Sequence, residues 1–172
     1  MNDHAIIGAM SHATTPGDLA RVLMEELPIT QSLGIGVATA EVNRVVLTLP
    51  LAANRNHKGT VFAGSLNAVA TLAGWSLLWV ELRARGLDGH VVIQDATIRY
   101  LEPAHGDVQA TCLGADPAEM DRAMTILARR GRARVALGVE VRDPDQRLVA
   151  TLAGRYVIHR REVPGSAPNA TV

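Results

Sequence analysis

The chain has few aromatic residues: one Phe, two Tyr and two Trp among 172, or 3%. That scarcity argues against a surface on which nucleobases stack. It has a single cysteine, Cys112. An internal disulfide and a thiolate metal cluster are therefore excluded, and a reducing cytoplasm is the simplest compartment. It has no net charge, with 17 basic and 17 acidic residues, so nothing favours a polyanion partner such as DNA or RNA. Met1 to Ala13 lacks the basic start and continuous apolar core of a secretion signal. There is no Gly-x-Ser-x-Gly elbow and no phosphate-binding P-loop. Gly34-Ile35-Gly36 lacks a third glycine and runs into a strand, so it is no dinucleotide fingerprint. The six histidines show no metal-ligand spacing, and no metal is expected.

What is present is apolar content. Hydrophobic residues make up 48%, which at this length suits one packed domain. Thr60 to Val80 carries no charge, and a membrane-spanning helix needs about 20 mainly apolar residues. Yet the stretch holds Gly64, Ser65, Asn67, Thr71, Gly74 and Ser76, and strand-like segments flank it. It reads as a helix buried within protein rather than within a membrane.

The rest of the chain is organised around that helix. Residues 1–14 read as a loose leader. Thr15-Pro16 reads as an N-cap followed by Pro at the first helical position, with Leu19, Val22, Leu23 and Leu27 on one face and Pro28 as the stop. Strands are expected near 35–39 and over 44–49, joined by a turn at 41–43. A motif loop covers 51–63. The long helix is expected from about Gly64 to Arg85, with Gly86 as its C-terminal cap. Further strands are expected over 91–101, 108–113, 132–142 and 148–159. Pro103 and Gly106-Asp107 make the turn after the first of these. A short helix opens at Asp116-Pro117, and 161–172 reads as a disordered tail. The expected fold is α+β: one antiparallel sheet of about six strands wrapped around one long central helix, in a single domain over 15–160.

The run from Asn56 to Leu66 carries the chemistry. A helix start offers unpaired backbone N–H groups and a positive dipole end. The N–H groups of Gly64 and Ser65 could therefore polarise a carbonyl, and Gly64 lets a ligand approach closely. Asn56 could orient water or a carbonyl, or simply bond its own loop. His57 could act as a base or face solvent. Thr71 lies two turns beyond Gly64 on the same face and could hold a water, or merely pack. Asp95 sits in an otherwise apolar strand on the face of Thr97. Near a sheet centre it would have a raised pKa suited to a general base; on an edge it would pair with an arginine. Arg129, Arg130, Arg132 and Arg134 form a basic cluster that suits phosphates or a solvated surface. Trp75 and Trp79 share a helix face and read as core or as the wall of an apolar trough.

The pattern Asn56-x-x-Gly59-Thr60-x-x-x-Gly64, a long helix, then Ile98-Arg99-Tyr100-Leu101-x-Pro103-x-x-Gly106-Asp107 resembles the hotdog-fold acyl thioesterases. It is most similar to the thioesterases of the YiiD C-terminal type, over roughly residues 30–160. The resemblance implies a homodimer joined sheet to sheet at its edges, possible pairing of dimers, and sites at the interface. It implies a substrate carried on coenzyme A or acyl carrier protein, with no separate cofactor. Gly59, Thr60, Phe62 and Ala63 are then implied as substrate contacts, with Arg129 and Arg130 for the carrier's phosphates. The chain departs from the family pattern twice. Many relatives have His-Gly-Gly where it has Phe62-Ala63-Gly64, and Asp where it has Thr71. Hydrolysis by water attack is the leading expectation. A non-catalytic acyl-binding domain and a hydratase or dehydratase are the alternatives.

Overall fold

The computed structural model describes residues 14–161. The expected leader and tail fall outside them, apart from residues 14 and 161. Helix α1 (Pro16–Glu26) starts at the Thr15 cap. The Thr15 hydroxyl accepts from the Asp18 N–H at 3.1 Å, and the Asp18 carboxylate accepts from the Thr15 N–H at 3.0 Å. This reciprocal box satisfies two donors that the helix leaves unpaired. Leu19, Val22 and Leu23 are buried, as their spacing predicts. Pro28 does end α1, but it also opens a one-turn helix, α2 (Ile29–Leu33), that the sequence did not suggest.

The remaining elements are β1 (Gly36–Glu41), β2 (Arg44–Leu49), α3 (Leu51–Asn54), α4 (Ala63–Ala84), β3 (Gly89–Tyr100), β4 (Val108–Leu113), α5 (Pro117–Arg130), β5 (Arg132–Arg142) and β6 (Leu148–Arg160). Helix α3 occupies the first part of what reads as a loop. Helix α5 is a full 14-residue element capped by Asp116. All neighbouring strands are antiparallel, in the order β1-β2-β4-β5-β6-β3.

That order corrects one expectation. The turn at Pro103 and Gly106-Asp107 suggests that 108–113 returns alongside 91–101. Instead β3 pairs with β6, and β4 lies between β2 and β5. The connection crosses the end of the sheet, and β3 becomes the far edge.

Helix α4 packs against all six strands. A helix some 10–12 Å wide reaches six strands about 4.8 Å apart only if the sheet curls around it. Its length and apolar character would also suit a membrane span, but most of it is buried inside the domain. Strand β5 shows the division of faces. Ala133, Val135, Leu137, Val139 and Val141 point inward and the residues between them point out. Small residues let other side chains close in. A Cβ on Gly74 would lie 2.3 Å from the Tyr156 hydroxyl, and that hydroxyl donates to the Thr71 carbonyl at 2.9 Å. Strand β3 differs from the rest: almost all of it is exposed on both faces.

Candidate functional site

The site is built at the N-terminal end of α4. Phe62 is the capping residue, and no side chain caps the helix. The N–H groups of Ser65 and Leu66 donate to the Phe62 carbonyl at 3.0 and 3.1 Å. Those of Ala63 and Gly64 have no hydrogen-bond partner among the described residues. The open pair is thus Ala63–Gly64 rather than Gly64–Ser65, because a tight first turn uses the Ser65 donor.

Several bonds fix this end of the helix. The Phe62 N–H donates to the Asn54 carbonyl at 2.7 Å, and the Val61 N–H to the Ala104 carbonyl at 2.9 Å. Asn54 is itself held by two bonds from its amide, to the Leu33 and Pro50 carbonyls, both at 2.8 Å. The loop before the helix closes on Asn56. Its Oδ1 accepts from the Lys58 and Thr60 N–H groups at 2.9 and 3.2 Å, and its Nδ2 donates to the Thr60 hydroxyl at 2.9 Å. Gly59 takes φ +78° in this turn, which a side chain would strain. Both acceptor positions of the Asn56 amide are therefore used, and one of its two N–H donors remains. Asn56 can donate to a carbonyl; it has no free acceptor for a water.

A cleft of about 300 Å³ lies beside the helix start. One wall is Asn56, Val61, Ala63 and Leu66, and the other is the stretch 100–104. The Tyr100 hydroxyl donates to the Ala63 carbonyl at 3.1 Å and ties the two walls together. Tyr100 and Leu101 on the cleft wall, and Phe62 next to Ala63 in the chain, are large apolar residues left 49%, 45% and 56% exposed. The Phe62 ring lies across Gly64, where a Cβ would come within 2.3 Å of it. The arrangement offers two amide donors and an apolar rim, which suits a carbonyl attached to a greasy chain.

The expected site residues divide into groups. Asn56 and Ala63 line the cleft, and Gly64 and Phe62 flank Ala63 in the chain without lining it. Thr60 is buried and braces the loop through its hydroxyl. Gly59 and His57 are exposed and are not on the cleft wall. Thr71 is half-buried two turns along α4, with its carbonyl held by Tyr156.

Asp95 is not the buried carboxylate of the sheet centre. It lies on the edge strand, 59% exposed, with an oxygen 3.4 Å from an Arg155 nitrogen. A bulge between Ile93 and Asp95 shifts the alternation. Ile93 pairs with buried Tyr156 on the helix side, and Asp95 pairs with exposed Arg155 on the outer side. Arg129 and Arg130 are exposed at the end of α5. That helix is tied through Asp121 to Arg85, at the opposite end of α4, roughly 33 Å from the cleft at 1.5 Å per residue. Within one chain they do not reach it.

Sequence reasoning missed the wall at 100–104. The signal was there: Tyr100-Leu101-x-Pro103 ends a strand and must carry the chain across the sheet.

These are the features of a hotdog fold, in which a curled antiparallel sheet encloses one long helix. Many solved structures share it. A protein of unknown function from Chlorobaculum tepidum is 25% identical, with a TM-score of 0.80 over 87% of this chain and 99% of that one. A thioesterase named as putative, from Shewanella oneidensis, is 29% identical, with a TM-score of 0.75 over 83% and 95%. A protein described as a probable thioesterase, from Pseudomonas aeruginosa, is 27% identical, with a TM-score of 0.72 over 87% and 99%. Residues 17–160 match the family described as "Putative thioesterase (yiiD_Cterm)", and the chain belongs to that family.

Proposed function

We propose that the protein hydrolyses an acyl thioester carried on coenzyme A or acyl carrier protein, at the start of α4. The N–H groups of Ala63 and Gly64, which have no partner among the described residues, carry this reading. They meet the growing negative charge on the carbonyl oxygen at the positive end of a 22-residue helix. The remaining Asn56 N–H supplies a third donor. The acyl chain follows the apolar rim of Phe62, Tyr100 and Leu101. No separate cofactor takes part.

The working unit is a homodimer joined along β3. That strand is an edge of 12 residues exposed on both faces, and open edges of this length invite pairing. Gly64, Ala68, Thr71, Leu72 and Trp75 form one face of α4, and all remain at least partly exposed beside it. Antiparallel pairing of two β3 strands brings the far end of one subunit towards the cleft of the other. In that arrangement Arg129 and Arg130 of one chain serve carrier phosphates bound at its partner's site. The neutral, single-thiol composition suits the cytoplasm.

Purified protein is incubated with a panel of acyl-CoA esters, and free thiol is followed. Turnover that falls sharply in both Asn56→Ala and Gly64→Val supports hydrolysis. Tight binding without thiol release would instead favour an acyl-binding domain. Light scattering tests the dimer: twice the 18.3 kDa chain mass is expected.

A further inference from the structure

We infer that Glu102 is the general base that activates the attacking water; this rests on the thioester-hydrolysis reading. A hydrolase of this design needs an acceptor for the water's proton, and the residues first considered do not supply one in the cleft. Asp95 is on the outer face with Arg155. His57 is outside the cleft wall, and the acceptor positions of Asn56 are used by its own loop. Glu102 is the one acidic residue among those that line the cleft. Among the described residues its side chain makes no hydrogen bond and no salt bridge, so both oxygens are uncommitted. Asp107, close by in sequence, instead accepts from the Leu51 N–H at 2.8 Å.

The backbone under Glu102 is held on both sides. The Leu101 and Glu102 N–H groups both donate to the Val149 carbonyl, at 2.9 and 3.3 Å, and the Ala104 carbonyl accepts from Val61. Pro103 restricts the residue between these anchors. The Ala104–Val61 bond also joins Glu102's wall to the strand of chain that leads into the Ala63–Gly64 donors. Base and donors therefore belong to one braced frame, which is what a positioned proton acceptor requires. Tyr100 stands on the same wall with its hydroxyl given to Ala63, and the Arg147 guanidinium of the β5–β6 turn feels the Glu102 charge. Helix α4 presents no charged side chain before Glu81.

The step balances. Water oxygen bonds to the carbonyl carbon as one of its protons passes to the Glu102 carboxylate. The oxyanion rests on the Ala63 and Gly64 N–H groups. The C–S bond then breaks, the proton on Glu102 passes to the departing sulfur, and the products are a carboxylic acid and a thiol.

The test compares wild type with Glu102→Gln and Glu102→Asp by thiol release from acyl-CoA esters across pH. The Gln variant is expected to lose about 10²–10⁴-fold in kcat, with KM changed by less than about threefold. The rise of kcat/KM with pH on the acid side should vanish with it, and Glu102→Asp should regain part of kcat together with that limb. A Gln variant that keeps the wild-type kcat and pH profile would overturn the assignment while leaving hydrolysis intact. A wild-type protein that releases no thiol from any ester would overturn the hydrolysis reading, and the assignment with it.

Discussion

The two ends of α4 are built on opposite rules. Towards the C-terminal end the buried carboxylate and the arginine beside it are both partnered. Glu81, with no exposed surface, accepts from the Asn43 N–H at 3.0 Å and pairs with Arg85. Arg85 reaches on to Asp121 at 2.7 Å. This set ties the β1–β2 turn, α4 and α5 together. At the N-terminal end two amide donors, and an acidic residue on the opposite cleft wall, have no partner among the described residues. A helix leaves several groups unpaired at each end. Here the closed end serves the fold and the open end is available for a ligand.

If that contrast is right, damage to the closed end should cost stability and spare chemistry. Glu81→Leu leaves the Asn43 N–H and the inner side of Arg85 without a partner. Removing one member of a buried pair costs roughly 3–5 kcal/mol. Urea unfolding should show this as a lower midpoint, with turnover per folded molecule preserved. Damage to the open end should do the reverse. In Gly64→Val the side chain drives into the Phe62 ring and the donor site, so turnover should drop about 10²-fold, the scale of one oxyanion donor, with the unfolding midpoint nearly unchanged. A large stability loss in this variant would blur the distinction.

Between the ends, Gly74→Ala tests how tightly the helix is seated. The new methyl meets Tyr156, and overpacking of this kind costs about 1–3 kcal/mol by thermal or urea unfolding. The remaining effect shows only in alkali. Cys112 is buried near the closed end, and burial pushes its thiol up to about 12 from 9.0. The unfolded chain therefore ionises first. The stability contributed below the unfolded pKa should be lost as pH rises from 9.0 towards 12, at no more than about 1.4 kcal/mol per pH unit from this group. Cys112→Ala should flatten that part of the slope.

The closed features were largely legible in the sequence, and the open ones only in part. Thr15-Pro16, Asp116-Pro117 and Gly86 marked helix ends because caps act through local geometry. The β5 boundaries followed from strict alternation. The neighbours of β3 could not be read, since strand order depends on which edges meet after the chain crosses the sheet. The inward or outward direction of Asp95 was hidden for a related reason: one extra residue at Gln94 resets the alternation. The helix start was recognisable as a run of unpaired donors, yet the shift of that pair by one residue, from Gly64–Ser65 to Ala63–Gly64, depends on whether the first turn is tight. Glu102 escaped notice because its partners in the cleft are some 40 residues away in sequence, across the whole of α4.

The most direct measurement is a ¹⁵N–¹H titration of the protein with a non-hydrolysable thioether analogue of an acyl-CoA. The Ala63 and Gly64 amide resonances should move downfield and saturate together, while those at Arg85 to Leu87 stay in place. Saturable binding that leaves Ala63 and Gly64 unmoved would contradict the claim that the open end of α4 receives the carbonyl.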